Sequence, residues 1–118
     1  MVERRPMGAL TDEIMAYLWA VDGPATPSEV HEAVAPELAY TTVMTILTRQ
    51  WQKGALARSR AGRSYAYEPV KTEAEDRAER MHGTLGAATD RTGVLSRFVD
   101  SLTVKDAKTL RRLLDEGR

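Results

Sequence analysis

Leu10, Ile14, Tyr17, Leu18 and Val21 recur at i, i+4, i+7, i+8 and i+11, the spacing of one face of an α-helix. Thr11 stands before Asp12 and Glu13 and is the expected N-cap, with the two acids in the first turn. Gly23-Pro24 stops this helix. Thr26-Pro27-Ser28-Glu29 starts a short second helix, with Thr26 as N-cap and Pro27 at the first helical position. Val30 and Val34 face inward and Pro36 ends it. A third helix is expected from about Thr41 to Lys53, closing at Gly54.

After Gly54 the period changes from helical to alternating. Residues 56–60 and 64–68 read as two strands joined by a turn at Ala61-Gly62-Arg63, with Pro69 ending the second. Three helices followed by a hairpin predict a winged helix-turn-helix. Beyond Lys71 the pattern is helical again. Thr72 caps a run of acids, and Ala78, Met81, Leu85 and Ala88 form a narrow stripe, weakened at Gly83 and Gly86 by ~1 kcal/mol each relative to Ala. A further segment carries Val94, Leu95, Phe98, Val99 and Leu102, and Thr103 caps a last helix with Leu110, Leu113 and Leu114 on one side. The expected fold class is mainly α with a small β-hairpin: a winged helix-turn-helix at residues 1–70 and a helical segment at 71–118.

Composition sharpens this picture in one respect. Leu, Ile, Val and Phe together supply 23 of 118 residues, a thin core for a monomer. The large apolar groups of the last two helices need a surface to bury against, and a second copy of the segment provides one. Val94, Leu95, Phe98, Val99, Leu102, Leu110, Leu113 and Leu114 are the expected dimer interface.

The formal net charge is zero, but its distribution is uneven. Residues 1–37 carry a net −5, whereas residues 38–67 contain no acid and hold Arg49, Lys53, Arg58, Arg60 and Arg63. Thirty consecutive residues without a carboxylate suit a polyanionic partner. On a helical wheel Val43, Ile46, Leu47 and Trp51 share one arc of the third helix. Thr41, Thr45, Thr48, Arg49 and Gln52 share the other, with Thr42, Met44 and Lys53 at its edges. Hydroxyls, an amide and a guanidinium are groups that bond phosphates and base edges. Thr is a poor filler for an exposed helix face, although N-capping could account for one of the first two. Arg58, Arg60 and Arg63 surround the hairpin turn and are placed to meet a phosphate backbone. Tyr65 and Tyr67 read as packing residues, as do Trp19 and Trp51.

Cysteine is absent, which excludes disulfides, thiolate metal sites and cysteine nucleophiles. No apolar run reaches the ~20 residues of a membrane span. The opening Met1-Val2-Glu3-Arg4-Arg5-Pro6 has no signal-peptide core, so a soluble cytoplasmic protein is expected. His31 and His82 stand alone, and neither a glycine-rich phosphate loop nor a nucleophile elbow occurs. No enzyme and no cofactor are expected.

The stretches Leu10-Thr11-Asp12-Glu13-Ile14-Met15-Ala16-Tyr17-Leu18-Trp19, Ala39-Tyr40-Thr41-Thr42-Val43-Met44-Thr45-Ile46-Leu47-Thr48-Arg49, Lys53-Gly54 and Gly62-Arg63-Ser64-Tyr65-Ala66-Tyr67-Glu68-Pro69 resemble the penicillinase-repressor family (BlaI/MecI-type regulators). The resemblance implies a homodimeric repressor on a palindromic operator in double-stranded DNA, with C-terminal helices forming the dimer. It also implies groove readout by Thr41, Thr42, Thr45 and Arg49. Two positions depart from the family pattern: Gln50 replaces a usual Leu, and Arg97-Phe98 matches the Asn-Phe bond cut in proteolytically inactivated members. A sensor or protease partner is implied only through that second position. Without cysteine, the thiolate copper sensing of related repressors is set aside. The alternative is a winged helix that binds protein and lacks specific DNA readout.

Overall fold

The computed structural model describes residues 7–117, and the reading of the opening hexapeptide lies outside them. The elements are α1 (Met7–Ala20), α2 (Pro27–Val34), α3 (Tyr40–Gln52), β1 (Leu56–Ala61), β2 (Ser64–Pro69), α4 (Glu73–Gly86), α5 (Arg91–Ser101) and α6 (Val104–Glu116). They fall into two compact units, one ending at Asp76 and one running from Arg77. The division lies inside the first turns of α4, a few residues beyond the expected boundary at residue 70.

In the first unit, Leu10, Ile14 and Leu18 of α1 meet Val30 of α2 and Val43, Ile46 and Leu47 of α3, all buried. Leu56 and Tyr67 close the core from the hairpin. The start of α1 corrects one expectation: Thr11 lies one turn inside the helix and does not cap it. Leu10, just before Thr11, is already helical and is buried in the core. The hairpin is antiparallel, pairing Arg58 with Tyr67 and Arg60 with Tyr65. Both strands extend one residue beyond their expected ends, and Pro69 is the last residue of β2. Gly62 adopts φ 64° in the two-residue turn and Gly54 φ 84° just after α3, conformations that side-chain-bearing residues rarely adopt.

One strand-like pairing was not legible beforehand. Ala25 exchanges both backbone hydrogen bonds with Tyr67, at 2.9 and 2.8 Å, so β2 is paired on its second side by the loop before α2. Trp19 is partly buried against the core, and its indole N–H donates to the Lys71 carbonyl at 3.0 Å.

The start of α2 is a capping box. The Thr26 amide donates to Glu29 Oε1 at 2.9 Å and the Glu29 amide donates to Thr26 Oγ1 at 3.3 Å. Thr72 and Glu75 repeat it at α4, at 3.2 and 3.1 Å. The Thr26 amide, and after it the Thr26 hydroxyl, hold the Glu29 carboxyl below its ordinary value. Thr72 acts the same way on Glu75. A carboxyl lowered by folding adds stability above the unfolded carboxylate range and loses it as pH falls through the folded value. Glu29→Gln keeps an acceptor without the charge. The wild type's advantage in unfolding midpoint over this variant is therefore expected to be fullest near neutral pH and to vanish on acidification. A pH series of unfolding curves for both proteins checks this.

The second unit holds the rest of α4 with α5 and α6. Asp90 caps α5 by accepting from the Gly93 amide, and Thr103 caps α6 by accepting from the Asp106 amide, each at 3.0 Å. No residue of α4, α5 or α6 is fully buried. No helix among the described residues is long and apolar enough to cross a membrane.

Candidate nucleic-acid interface

The third helix is sorted cleanly by burial. Val43, Ile46 and Leu47 are buried, while Thr41, Thr45, Arg49 and Gln52 are exposed; Thr42 and Met44, at the edges, are half-buried, as is Thr48 on the outward arc. The N-cap of α3 is Ala39, with no side-chain cap bond. Neither Thr41 nor Thr42 is spent on capping, which removes the local explanation for the run of threonines. Thr45 donates its hydroxyl to the Thr41 carbonyl at 2.9 Å. That bond fixes the side chain and leaves the oxygen's acceptor capacity and the methyl for a partner. Among the described residues no hydrogen bond or ion pair engages the Arg49 guanidinium.

The wing is less uniform than its sequence. Arg60 and Arg63 are exposed, but Arg58 is half-buried. Its guanidinium carbon lies 3.4 Å from the centre of the Trp51 ring and 4.1 Å from that of Tyr65. Arg60 sits 5.3 Å from the Tyr65 ring centre. Trp51 corrects another expectation: it is 37% exposed and does not belong to the core. It occupies the last turn of α3, beyond the buried Leu47, where the ring covers Arg58 instead of packing among aliphatic groups. Gln50, half-buried, takes the position on the inner arc. Tyr67 is buried and Tyr65 partly so, as packing residues.

His31 is half-buried, with Nε2 donating to the Leu38 carbonyl at 2.7 Å and its ring edge-on to Tyr40. It steadies the loop before α3. His82 is exposed. No group of three or more potential metal ligands occurs among the described residues.

In the second unit Val94, Leu95, Phe98 and Val99 of α5, and Leu110, Leu113 and Leu114 of α6, are exposed, whereas Leu102 is half-buried. Met81, on the expected stripe of α4, is exposed, and Val104, 76% exposed and outside any expected stripe, also presents apolar surface. Val104 escaped notice because it is the first residue after a cap, where a helical stripe is not yet established. An apolar cavity of about 520 Å³ opens between Ala78, Met81 and Leu85 of α4 and Val94, Leu95 and Phe98 of α5. Arg97-Phe98 lies within α5.

Three helices and a hairpin, with the third helix offering an outward face free of carboxylates, define a winged helix-turn-helix protein. The model of the penicillinase repressor family matches residues 7–116, and the chain belongs to that family. It is 36% identical over 121 residues to the transcriptional regulator BlaI of Mycobacterium tuberculosis, in each of two strains, covering 98% of this chain and 88% of the relative. Among solved structures it is similar to a MarR family protein from Bacillus stearothermophilus (18% identity, 90% of this chain and 69% of the other, TM-score 0.46). Lactococcus lactis ZitR is similar at 14% identity, with coverage of 92% and 70% and TM-score 0.46. The family is one of DNA-binding transcriptional repressors and is not enzymatic.

Proposed function

We propose that this chain is a homodimeric, sequence-specific repressor that covers a palindromic promoter operator in double-stranded DNA and excludes polymerase. The observation that carries this reading is the outward face of α3. It combines exposed Thr41, Thr45 and Arg49 with half-buried Thr42 and Thr48, no acid, and a guanidinium that no described residue engages. Such a face suits base edges in a major groove. Arg60 and Arg63 at the wing tip suit phosphates. The exposed apolar groups of α5 and α6 support self-association through the second unit. A two-fold axis there would offer one recognition helix to each half-site. Cytoplasmic location and release by a sensor or protease acting at Arg97-Phe98 belong to the same reading. That bond sits inside a hydrogen-bonded helix, so cleavage would require α5 to open locally first.

Salt dependence separates this reading from a protein-binding winged helix. Affinity for a duplex is expected to fall linearly on a log–log plot against salt, with a slope of about −0.9 per phosphate neutralised. Arg60→Ala and Arg63→Ala should each weaken binding to operator and scrambled duplexes alike and flatten the slope by about 0.9. Titrations at several salt concentrations measure this. A slope near zero in the wild type would favour the protein-binding alternative.

A further inference from the structure

On sequence Arg58 belongs with the wing arginines, but its surroundings differ from theirs. Side chains alternate along a strand, so Leu56, Arg58 and Arg60 share one face of β1. Leu56 is buried in the core, which makes this the inward face of the hairpin. Arg58 thus continues the core stripe toward the wing rather than pointing away from it. Its guanidinium approaches the centres of the Trp51 and Tyr65 rings more closely than an edge-on contact allows, so it meets both π faces. The three residues come from the last turn of α3, from β1 and from β2. Lys53, just after α3, is exposed, and no acid occurs between residues 38 and 67 to draw the guanidinium elsewhere.

We propose that Arg58 is a positioning residue: with Trp51 and Tyr65 it forms a strut that fixes the wing to the recognition helix. It thereby sets the distance between the groups that read the groove and those that meet the backbone. A planar guanidinium is suited to this role because it stacks on ring faces, whereas an ammonium does not stack flat. The strut rests on the DNA-binding reading for its consequence but not for its existence, and two kinds of measurement keep these apart.

The first uses duplexes enriched from a random-sequence pool, with a scrambled duplex for comparison. Arg58→Ala and Trp51→Ala are each expected to weaken binding to the enriched duplex by ~2- to 5-fold, the scale of a partly exposed cation–π contact. Neither should change the salt slope. Trp51→Phe should restore most of the loss, since it keeps a ring face, and the double Ala variant should be no worse than either single one. A slope flattened by about 0.9 in Arg58→Ala, or additive losses, would overturn the strut and make Arg58 a phosphate contact.

The second needs no DNA. In a Trp19→Phe background Trp51 is the sole indole. Arg58→Ala and Tyr65→Ala should each raise its quenching by acrylamide, and Arg58→Lys should restore protection only in part. Unchanged quenching in Arg58→Ala would overturn the strut even if duplex binding proves real. Altered quenching with no wild-type affinity for any duplex would leave the strut standing and remove the DNA reading.

Discussion

Arg49→Ala is expected to lower discrimination between operator and scrambled duplex by roughly 5- to 150-fold, the equivalent of the ~1–3 kcal/mol assigned to a bidentate Arg–guanine contact. The guanidinium projects from the last turn of α3, is exposed, and has no engagement among the described residues. No internal bond therefore has to break before it meets a base pair. Thr45→Ala should act in the same direction with a smaller effect, because its hydroxyl donor already serves the Thr41 carbonyl. Competition binding with both duplexes measures each ratio. Equal losses on the two duplexes would make Arg49 a phosphate contact that positions the helix without reading sequence.

Phe98→Ala is expected to shift the protein from dimer toward monomer without unfolding the winged helix. Full burial of a Phe side chain contributes about 1.5–3 kcal/mol, and Phe98 is 41% exposed in the single chain. Covering that remainder contributes about 1 kcal/mol per subunit on the same scale. A two-fold interface doubles the loss to ~2 kcal/mol, roughly a thirtyfold weaker self-association. Operator affinity should fall with it, because two half-sites are then no longer held together. Sedimentation equilibrium of wild type and variant reads this directly, and circular dichroism confirms that the helices persist. A wild type that is monomeric at micromolar concentration would remove the dimer from the account.

The parts of the fold legible in the sequence are those fixed by neighbours along the chain. Thr26-Pro27 announces the start of α2 with Thr26 as its N-cap, and the structure contains that cap together with a reciprocal bond to Glu29. Gly54 and Gly62 mark the end of α3 and the turn of the hairpin, and both have positive φ. The 3.6-residue spacing of Val43, Ile46 and Leu47 gave the buried side of α3, and with it the opposite, acid-free side. What escaped depends on residues distant in sequence. The pairing of Ala25 with Tyr67 joins positions 42 residues apart and has no local signature. A wheel assigns Trp51 to the inner arc, but cannot tell that the core ends at Leu47 and that a guanidinium from β1 covers the ring. Alternation places Arg58 on the core side of β1 with Leu56, but it places Arg60 there too; the two differ only in their distance along the strand from the buried Leu56. Thr42 came from the resemblance rather than from the wheel, which left it at the edge of the outer face. Its half-buried position agrees with that placement.

The central claim is that a dimer of this chain reads a symmetric DNA sequence through α3. Repeated selection of bound duplexes from a random-sequence pool, followed by sequencing, tests it most directly. The account predicts enrichment of an inverted repeat whose half-sites lie about 10–10.5 base pairs apart, or a multiple of that, and loss of this enrichment in Arg49→Ala. Binding that depends on salt yet enriches no sequence over the starting pool would contradict it.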